Sequence, residues 1–332
     1  MEFGPVPPQN ALGAILAHSV QIEGQRLRKG LVLEPSHIAL LEAADLSEIT
    51  VARLGADDVH EDDAALALAL ALVPDELGAH LRIGPVGTGR CNIFAVAPGV
   101  VQIDVEAINS LNAIHPVITV STVPNLHRME QGGMVATVKI IAYGVPKHAL
   151  EQAQAAGDKA LSLAVASVRR ASFIETTLAA PVSQKGAKVI RNRVKSLGAV
   201  MDEPVRCPHD TAALSAALRQ AEGDMILILT ASATSDLRDT APEAVRLAGG
   251  AVAHFGMPVD PGNLLFIGDL GGKPVIGLPG CARSPALNGA DWVLERLICG
   301  VPVSAQDIMG MGVGGLLKEI PSRPQPRNPK RS

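Results

Sequence analysis

Residues 225–243 read Met225-Ile226-Leu227-Ile228-Leu229-Thr230-Ala231-Ser232-Ala233-Thr234-Ser235-Asp236-Leu237-Arg238-Asp239-Thr240-Ala241-Pro242-Glu243, and this stretch decides the fold. Five successive apolar residues leave no polar face, which is the pattern of a central strand buried on both sides. A loop of small and hydroxyl residues follows. Thr240-Ala241-Pro242-Glu243 then predicts a capping box with proline in the first turn, opening a helix that stops at Gly249-Gly250.

The same rhythm extends outward from this centre. Residues 172–177 predict a strand, and 187–197 a helix with Val189, Ile190, Val194 and Leu197 on one face; 199–206 hold a short strand, and Asp210 caps a helix to Gln220. Residues 264–267 and 274–278 predict paired strands turning at Gly271-Gly272, and Ser284-Pro285 a last helix ending at Gly300. Strands alternating with helices mean a mostly parallel sheet with helices on both faces, a three-layer αβα domain over 172–302.

The preceding chain has a different texture. Residues 1–80 predict a small α+β region, with helical patterns at 11–17 and 36–44, a strand at 49–52 and a helix at 64–73. Residues 81–146 predict a β-rich segment, with β-branched runs at 99–105, 117–123 and 134–141 and turns at His115-Pro116 and Gly132-Gly133. An Ala-rich, proline-free stretch predicts a connecting helix over 147–171. Residues 303–332, whose end carries four prolines and four Lys or Arg from Pro321 on, read as a tail or linker.

Composition narrows the classes of function. The 332 residues are 47% hydrophobic and 19% charged, with net charge -4 and 2% aromatics, so neither the basic surface nor the stacking rings of a nucleic-acid binder are present. The longest apolar run, 64–73, falls far short of the roughly 20 residues a membrane span needs. Cys91, Cys207, Cys281 and Cys299 stand far apart, without the spacing of a zinc site or a disulfide framework. A cytoplasmic protein is expected, with neither a membrane nor a nucleic-acid partner.

In an open α/β sheet ligands bind beyond the carboxyl ends of the strands, so the loops after Leu229, Phe255 and Leu278 should converge on one crevice. In the first, Thr230, Ala231, Ser232, Thr234 and Ser235 lie ahead of a helix start, where N–H groups and hydroxyls suit a phosphate. Asp236 and Asp239 would repel that phosphate unless Mg²⁺ stood between them, which makes the pair candidate metal ligands and candidate catalytic residues. The same residues also suit a plain turn, with Asp239 complementing the helix dipole. The second loop offers Pro261, Gly262 and Asn263 as a ligand wall; the third offers Pro279, Gly280 and, as an anion partner, Arg283.

The motif from Thr230 to Ala244 resembles the T-G-G-T-G-x-x-x-R-D-x-T-P-E-A signature of the molybdopterin-binding domain family. Pro261-Gly262-Asn263 and Gly277-Leu278-Pro279-Gly280 resemble that family's later segments, in the same order. The region containing Ala11-Leu12-Gly13 and Arg28-Lys29-Gly30 is similar to the opening of molybdopterin molybdenumtransferases. The resemblance implies a domain, often oligomeric, that holds molybdopterin while molybdate is inserted with Mg²⁺. It departs from the family where glycines become Ala231, Ser232 and Thr234, and where the first strand ends in Glu175-Thr176-Thr177-Leu178 instead of T-G-D-E-L.

Three functions follow as expectations. The first is a molybdenumtransferase-like enzyme, active on molybdopterin or its adenylylated form. The second is a non-catalytic molybdopterin carrier that hands the cofactor to a nucleotidyltransferase partner. The third is a related domain serving another phosphorylated ligand, such as a nicotinamide nucleotide.

Overall fold

A computed structural model describes residues 1–22, 24–178 and 183–317. Of the tail or linker expected at 303–332, residues 318–332 lie outside the described residues, while Ala305–Met309 within it is a short helix whose N-cap Ser304 accepts from the Asp307 N–H. The chain divides into two compact units, one of residues 1–97 with 101–163, the other of 98–100 with the chain from 164 onward.

In the first unit, the strand Ile49–Arg53 lies between Glu2–Val6 and Ile15–Leu16, antiparallel to both. Leu16, Leu27, Leu33, Leu41 and Val51 form the core beneath, with Leu41 supplied by the helix Pro35–Ala43. The helix expected at 11–17 is absent. A single 3-10 turn, Pro8–Asn10, and Gly13 at φ +73° send the chain directly into the Ile15–Leu16 strand instead. A second, antiparallel sheet has the order Ile118–Thr122, Met134–Ile140, Arg90–Ala95, Leu81–Gly87. The helix Glu61–Leu72 packs on it through Ala64, Ala65, Leu68 and Leu72.

The β-rich segment also contains a helix, Val105–Ile114, that the β-branched run at 99–105 concealed. Asp104 ends that run by accepting a hydrogen bond from the Ala107 N–H at 2.9 Å and so starting the helix. The expected connecting helix is shorter than its alanine content predicts: Lys147–Ala156 is helical, Gly157 ends it, and Leu161–Val165 is a strand.

The second unit is the expected three-layer α/β domain. Its sheet runs in the order Val200–Met201 and Val205–Pro208 (two pieces of one edge), Arg170–Thr177, Met225–Leu229, Lys273–Leu278, Phe266–Leu270, Ala251–Phe255. The first four positions are parallel; the Lys273–Leu278 and Phe266–Leu270 pair and the Phe266–Leu270 and Ala251–Phe255 pair are antiparallel. All five residues of Met225–Leu229 are buried. Ile226 and Ile228 join Ile174, Val275 and Phe266 on one face, covered by Leu214, Leu218, Ala244 and Val245 from the helices Thr211–Arg219 and Thr240–Leu247. Each such aliphatic side chain withdrawn from water contributes on the order of 1.5–3 kcal/mol. Ile190 and Val194 of the helix Lys185–Lys195, with Val293, Leu294 and Ile298 of Gly289–Ile298, supply the third layer.

Two helix starts differ from expectation. Asp239 rather than Thr240 is the N-cap of Thr240–Leu247, because its carboxylate is the better acceptor for the first N–H. The last helix begins at Gly289, not at Ser284-Pro285. There Asn288 accepts from the Ala290 N–H at 2.9 Å while its own N–H donates to Asp291 at 2.9 Å.

Candidate functional site

Because Arg170–Thr177, Val205–Pro208, Met225–Leu229 and Lys273–Leu278 are parallel, their carboxyl ends border one rim. The Ala251–Phe255 strand, two antiparallel steps from Lys273–Leu278, ends on the same side. The rim has two halves, set by the alternation of side chains along Arg170–Thr177.

One half is built on Glu175. Register places Glu175 opposite Arg206, so the two side chains share a face, and Arg206 Nε lies 3.3 Å from Glu175 Oε2. Glu175 is fully buried, whereas Arg206 is 38% exposed. Its other oxygen, Oε1, makes no hydrogen bond and lies 3.9 Å from Arg283 Nη2. That same nitrogen donates to the Thr230 carbonyl at 3.1 Å. Arg283 therefore bridges the ends of two neighbouring strands while its side chain stays 37% exposed.

Two further residues fix Arg283 in place. A Cβ at Gly186 would stand 3.1 Å from Arg283 Cγ, so the glycine leaves space for the arginine stem. Arg193 donates to the carbonyls of Ala282 at 2.7 Å, Ser284 at 2.8 Å and Ala286 at 3.1 Å, and pairs with Asp291. The loop that carries Arg283 is thus tied to the helix that follows the first strand.

The other half is built on Thr176. Its hydroxyl oxygen accepts from the Ala231 N–H at 2.8 Å and lies 2.9 Å from His209 Nδ1. Asp239 stands nearby. Its Oδ2 accepts from Ser235 N–H at 2.9 Å and from the Ser235 hydroxyl at 3.3 Å, its Oδ1 from Thr240 N–H at 2.7 Å. The Ser235 N–H holds this carboxyl below the usual aspartate range against partial burial, with Thr240 N–H and the charge of His209 adding to the effect.

The structure brings most of the expected site residues together on this rim: Thr230 and Thr234 buried, Ala231 partly buried, Ser232 and Ser235 exposed. Pro279 and Gly280 stand at the end of Lys273–Leu278, with nothing within 4 Å of where a Cβ on Gly280 would sit. Asp236 accepts from the Arg238 N–H at 2.8 Å through Oδ1, inside the turn. The Pro261-Gly262-Asn263 loop is different, being committed to the scaffold. The Pro261 carbonyl accepts from Gly289 N–H at 2.8 Å, and a Cβ on Gly262 would meet that nitrogen at 2.8 Å. Asn263 Nδ2 donates to the Met257 carbonyl at 3.3 Å.

Among the described residues, no group of three or more His, Cys, Asp and Glu could hold a metal ion. Mg²⁺ commonly takes only one or two carboxylates and completes its shell with phosphate oxygens and water. Both Asp239 oxygens are committed to Ser235 and Thr240, and Asp236 Oδ1 to the Arg238 N–H, which leaves Asp236 Oδ2 as the oxygen to which no hydrogen bond is assigned.

Sequence reasoning passed over Arg206 and His209 and saw Glu175 only as a lost motif residue. Their sequence signal is weak, because the register of Arg206 on Glu175 exists only once the edge strand is paired. The available clue was an acid directly after Phe173-Ile174 in a strand of the sheet's interior, a placement that demands a partner.

The fold and rim define a class: a three-layer α/β domain whose strand ends carry two arginines on one buried glutamate beside a loop of hydroxyl residues. Residues 5–53 of the chain match a domain family of unknown function, DUF8806. No curated protein matches the chain. Among solved structures, a molybdopterin biosynthesis MoeA protein from Pyrococcus horikoshii is similar at 13% identity and a TM-score of 0.29, over 94% of this chain and 76% of that one. Another structure of a molybdopterin biosynthesis MoeA protein, from Pyrococcus horikoshii OT3, gives 9% identity and a TM-score of 0.23, over 93% and 75%. The fold assignment stands on this chain's own strand order and register.

Proposed function

We propose that the rim of the second unit binds molybdopterin by its phosphate and supports Mg²⁺-dependent insertion of molybdate into molybdopterin or its adenylylated form, in molybdenum-cofactor biosynthesis. The observation that carries this reading is Arg283. It is an arginine more than a third exposed, yet its position is fixed by Glu175, by the Thr230 carbonyl, by the space at Gly186 and by the Arg193 clamp on its loop. Surface arginines that serve only solubility have no such supports. The motif resemblance from Thr230 to Ala244, which names the ligand class, falls on the same rim.

In this reading Arg283, with the hydroxyls of Thr230, Ser232, Thr234 and Ser235, receives the phosphate. Pro279 and Gly280 form the open wall through which the ligand is approached, and Pro261, Gly262 and Asn263 brace the last helix beside it. Mg²⁺ between Asp236, Asp239 and the phosphate would neutralise charge that the two aspartates otherwise turn against the ligand. This chain's own contribution to rate would be orientation of the pterin and electrostatic stabilisation. We place the activity in the cytoplasm, in a homo-oligomer.

One observation favours the carrier reading as second choice. The Ala231 N–H, which a glycine-rich loop would present to a phosphate, is donated to Thr176 instead. A loop with fewer free donors binds without accelerating, and the cofactor would then pass to a nucleotidyltransferase partner.

The test is calorimetric titration with molybdopterin and its adenylylated form, with and without Mg²⁺ and molybdate, on wild type and Arg283→Ala. Binding weakened in the variant, together with Mg²⁺-dependent molybdenum insertion, supports the transferase; binding without insertion supports the carrier. Preference for a nicotinamide nucleotide over either pterin sinks both.

A further inference from the structure

Glu175 is fully buried at the end of its strand, and a buried carboxylate without partners is costly. Its partners are two arginines that reach it from different elements: Arg206 across the register of the edge strand, Arg283 from the loop after Lys273–Leu278. Neither guanidinium is exhausted by this contact. Each carries five N–H donors; Arg206 spends Nε on Glu175, while Arg283 spends Nη2 on the Thr230 carbonyl and faces Glu175 Oε1 as an ion pair at 3.9 Å without a hydrogen bond. Both side chains stay more than a third exposed at the rim.

We propose that Glu175 is a positioning residue that holds Arg206 and Arg283 side by side as a two-guanidinium receptor for a phosphate monoester. The inference rests on the phosphorylated-ligand reading above and deepens it. A carboxylate offers two oxygens and one negative charge, whereas a phosphate monoester offers three terminal oxygens and between one and two charges, so two guanidiniums match the phosphate more fully in both oxygens and charge. The paired arginines therefore select for phosphate.

The idea makes a prediction opposite in sign to simple electrostatics. Removing a negative charge beside an anion site should strengthen anion binding; removing the residue that aims the arginines should weaken it. The experiment is titration with phenyl phosphate, and with benzoate as the carboxylate control, of wild type, Glu175→Gln, Arg283→Ala and the double variant. We expect Glu175→Gln to lower phenyl phosphate affinity roughly tenfold, as loss of an orienting partner typically does. In the Arg283→Ala background the same change should cost clearly less, roughly threefold, because only Arg206 is then left for Glu175 to aim.

Equal or tighter phosphate binding by Glu175→Gln overturns the proposal. So does an equal loss in both backgrounds, or benzoate bound as tightly as phenyl phosphate by the wild type. Thermal melts identify a variant that has lost its fold; in that event Glu175→Asp, which keeps the charge one methylene shorter, takes its place in the same cycle with an intermediate loss expected. Coupled binding of phenyl phosphate without binding of molybdopterin removes the proposed function and leaves the role of Glu175 standing. Molybdopterin binding insensitive to Glu175→Gln does the reverse.

Discussion

Asp239 performs two tasks that a mutation separates by pH. As N-cap it accepts from the helix's Thr240 N–H, and Asp239→Ala should cost about 1 kcal/mol at neutral pH, read from the urea midpoint. Its carboxyl is held below the usual aspartate range, as are those of Asp224, bonded to the N–H groups of Arg170 and Arg169, and Asp307, bonded to Ser304. A folded-state value below the unfolded one contributes stability that is complete above the unfolded aspartate value of about 3.9 and is lost as the pH falls through the folded value. Urea midpoints should therefore be insensitive to these groups above roughly pH 5 and fall steeply beneath about pH 4. Asp239→Ala should make that fall shallower; an unchanged acid limb would show that its carboxyl gains nothing on folding. At this scale the sequence was informative where a motif named the residue, as for Asp239 and Arg283. It was silent where a pair depends on strand register, as for Glu175 with Arg206, or on a strand end meeting the bend after its neighbour, as for Thr176 with His209.

Single glycines set how neighbouring elements approach each other. Gly186, in the helix Lys185–Lys195, faces the Arg283 stem at 3.1 Å from where its Cβ would be. Gly186→Ala should gain up to about 1 kcal/mol in helix propensity while displacing the arginine. The expected result is a melting temperature unchanged or raised, together with weaker ligand binding; if binding is unaffected, Arg283 does not need that space. Gly277 tests the sheet instead. It pairs with Phe266, whose ring would lie only 1.9 Å from a Cβ at 277. Gly277→Ala should destabilise by about 1–3 kcal/mol or more, measured by chemical denaturation, because neither the strand nor the ring has room to yield. Element type was readable wherever burial pattern was unambiguous, as in Met225–Leu229. Helix starts were readable only roughly, since Asn288 wins its helix through a reciprocal bond with Asp291 that a local proline signal obscured.

Across the whole molecule, each unit has a core of its own: residues between Ala11 and Val51 form a cluster in the first unit, and residues between Ile174 and Val275 one in the second. Scanning calorimetry should accordingly depart from a single two-state transition, and Gly277→Ala should lower the transition of the second unit alone. One transition in which both units shift together with the variant would contradict this. The fold class of the second unit was legible because a strand buried on both faces and flanked by helical patterns admits few architectures. The first unit was harder to read. Its alanine-rich 11–17 segment has no period to distinguish helix from strand, and Gly13 in a left-handed turn settles the matter in a way no hydrophobic pattern records.

Arg193 grips the loop that carries Arg283 by three backbone oxygens, those of Ala282, Ser284 and Ala286. Such a grip is blind to which side chains the loop bears. Side chains at the exposed Ser284 and Ala286 can be exchanged without releasing it, whereas Ala282 is buried, so at those two positions the loop's contour is heritable separately from its chemistry. A library randomised at Ser284 and Ala286 should keep the contour while retuning what the crevice prefers, and this offers natural drift and laboratory selection the same inexpensive route to a new ligand.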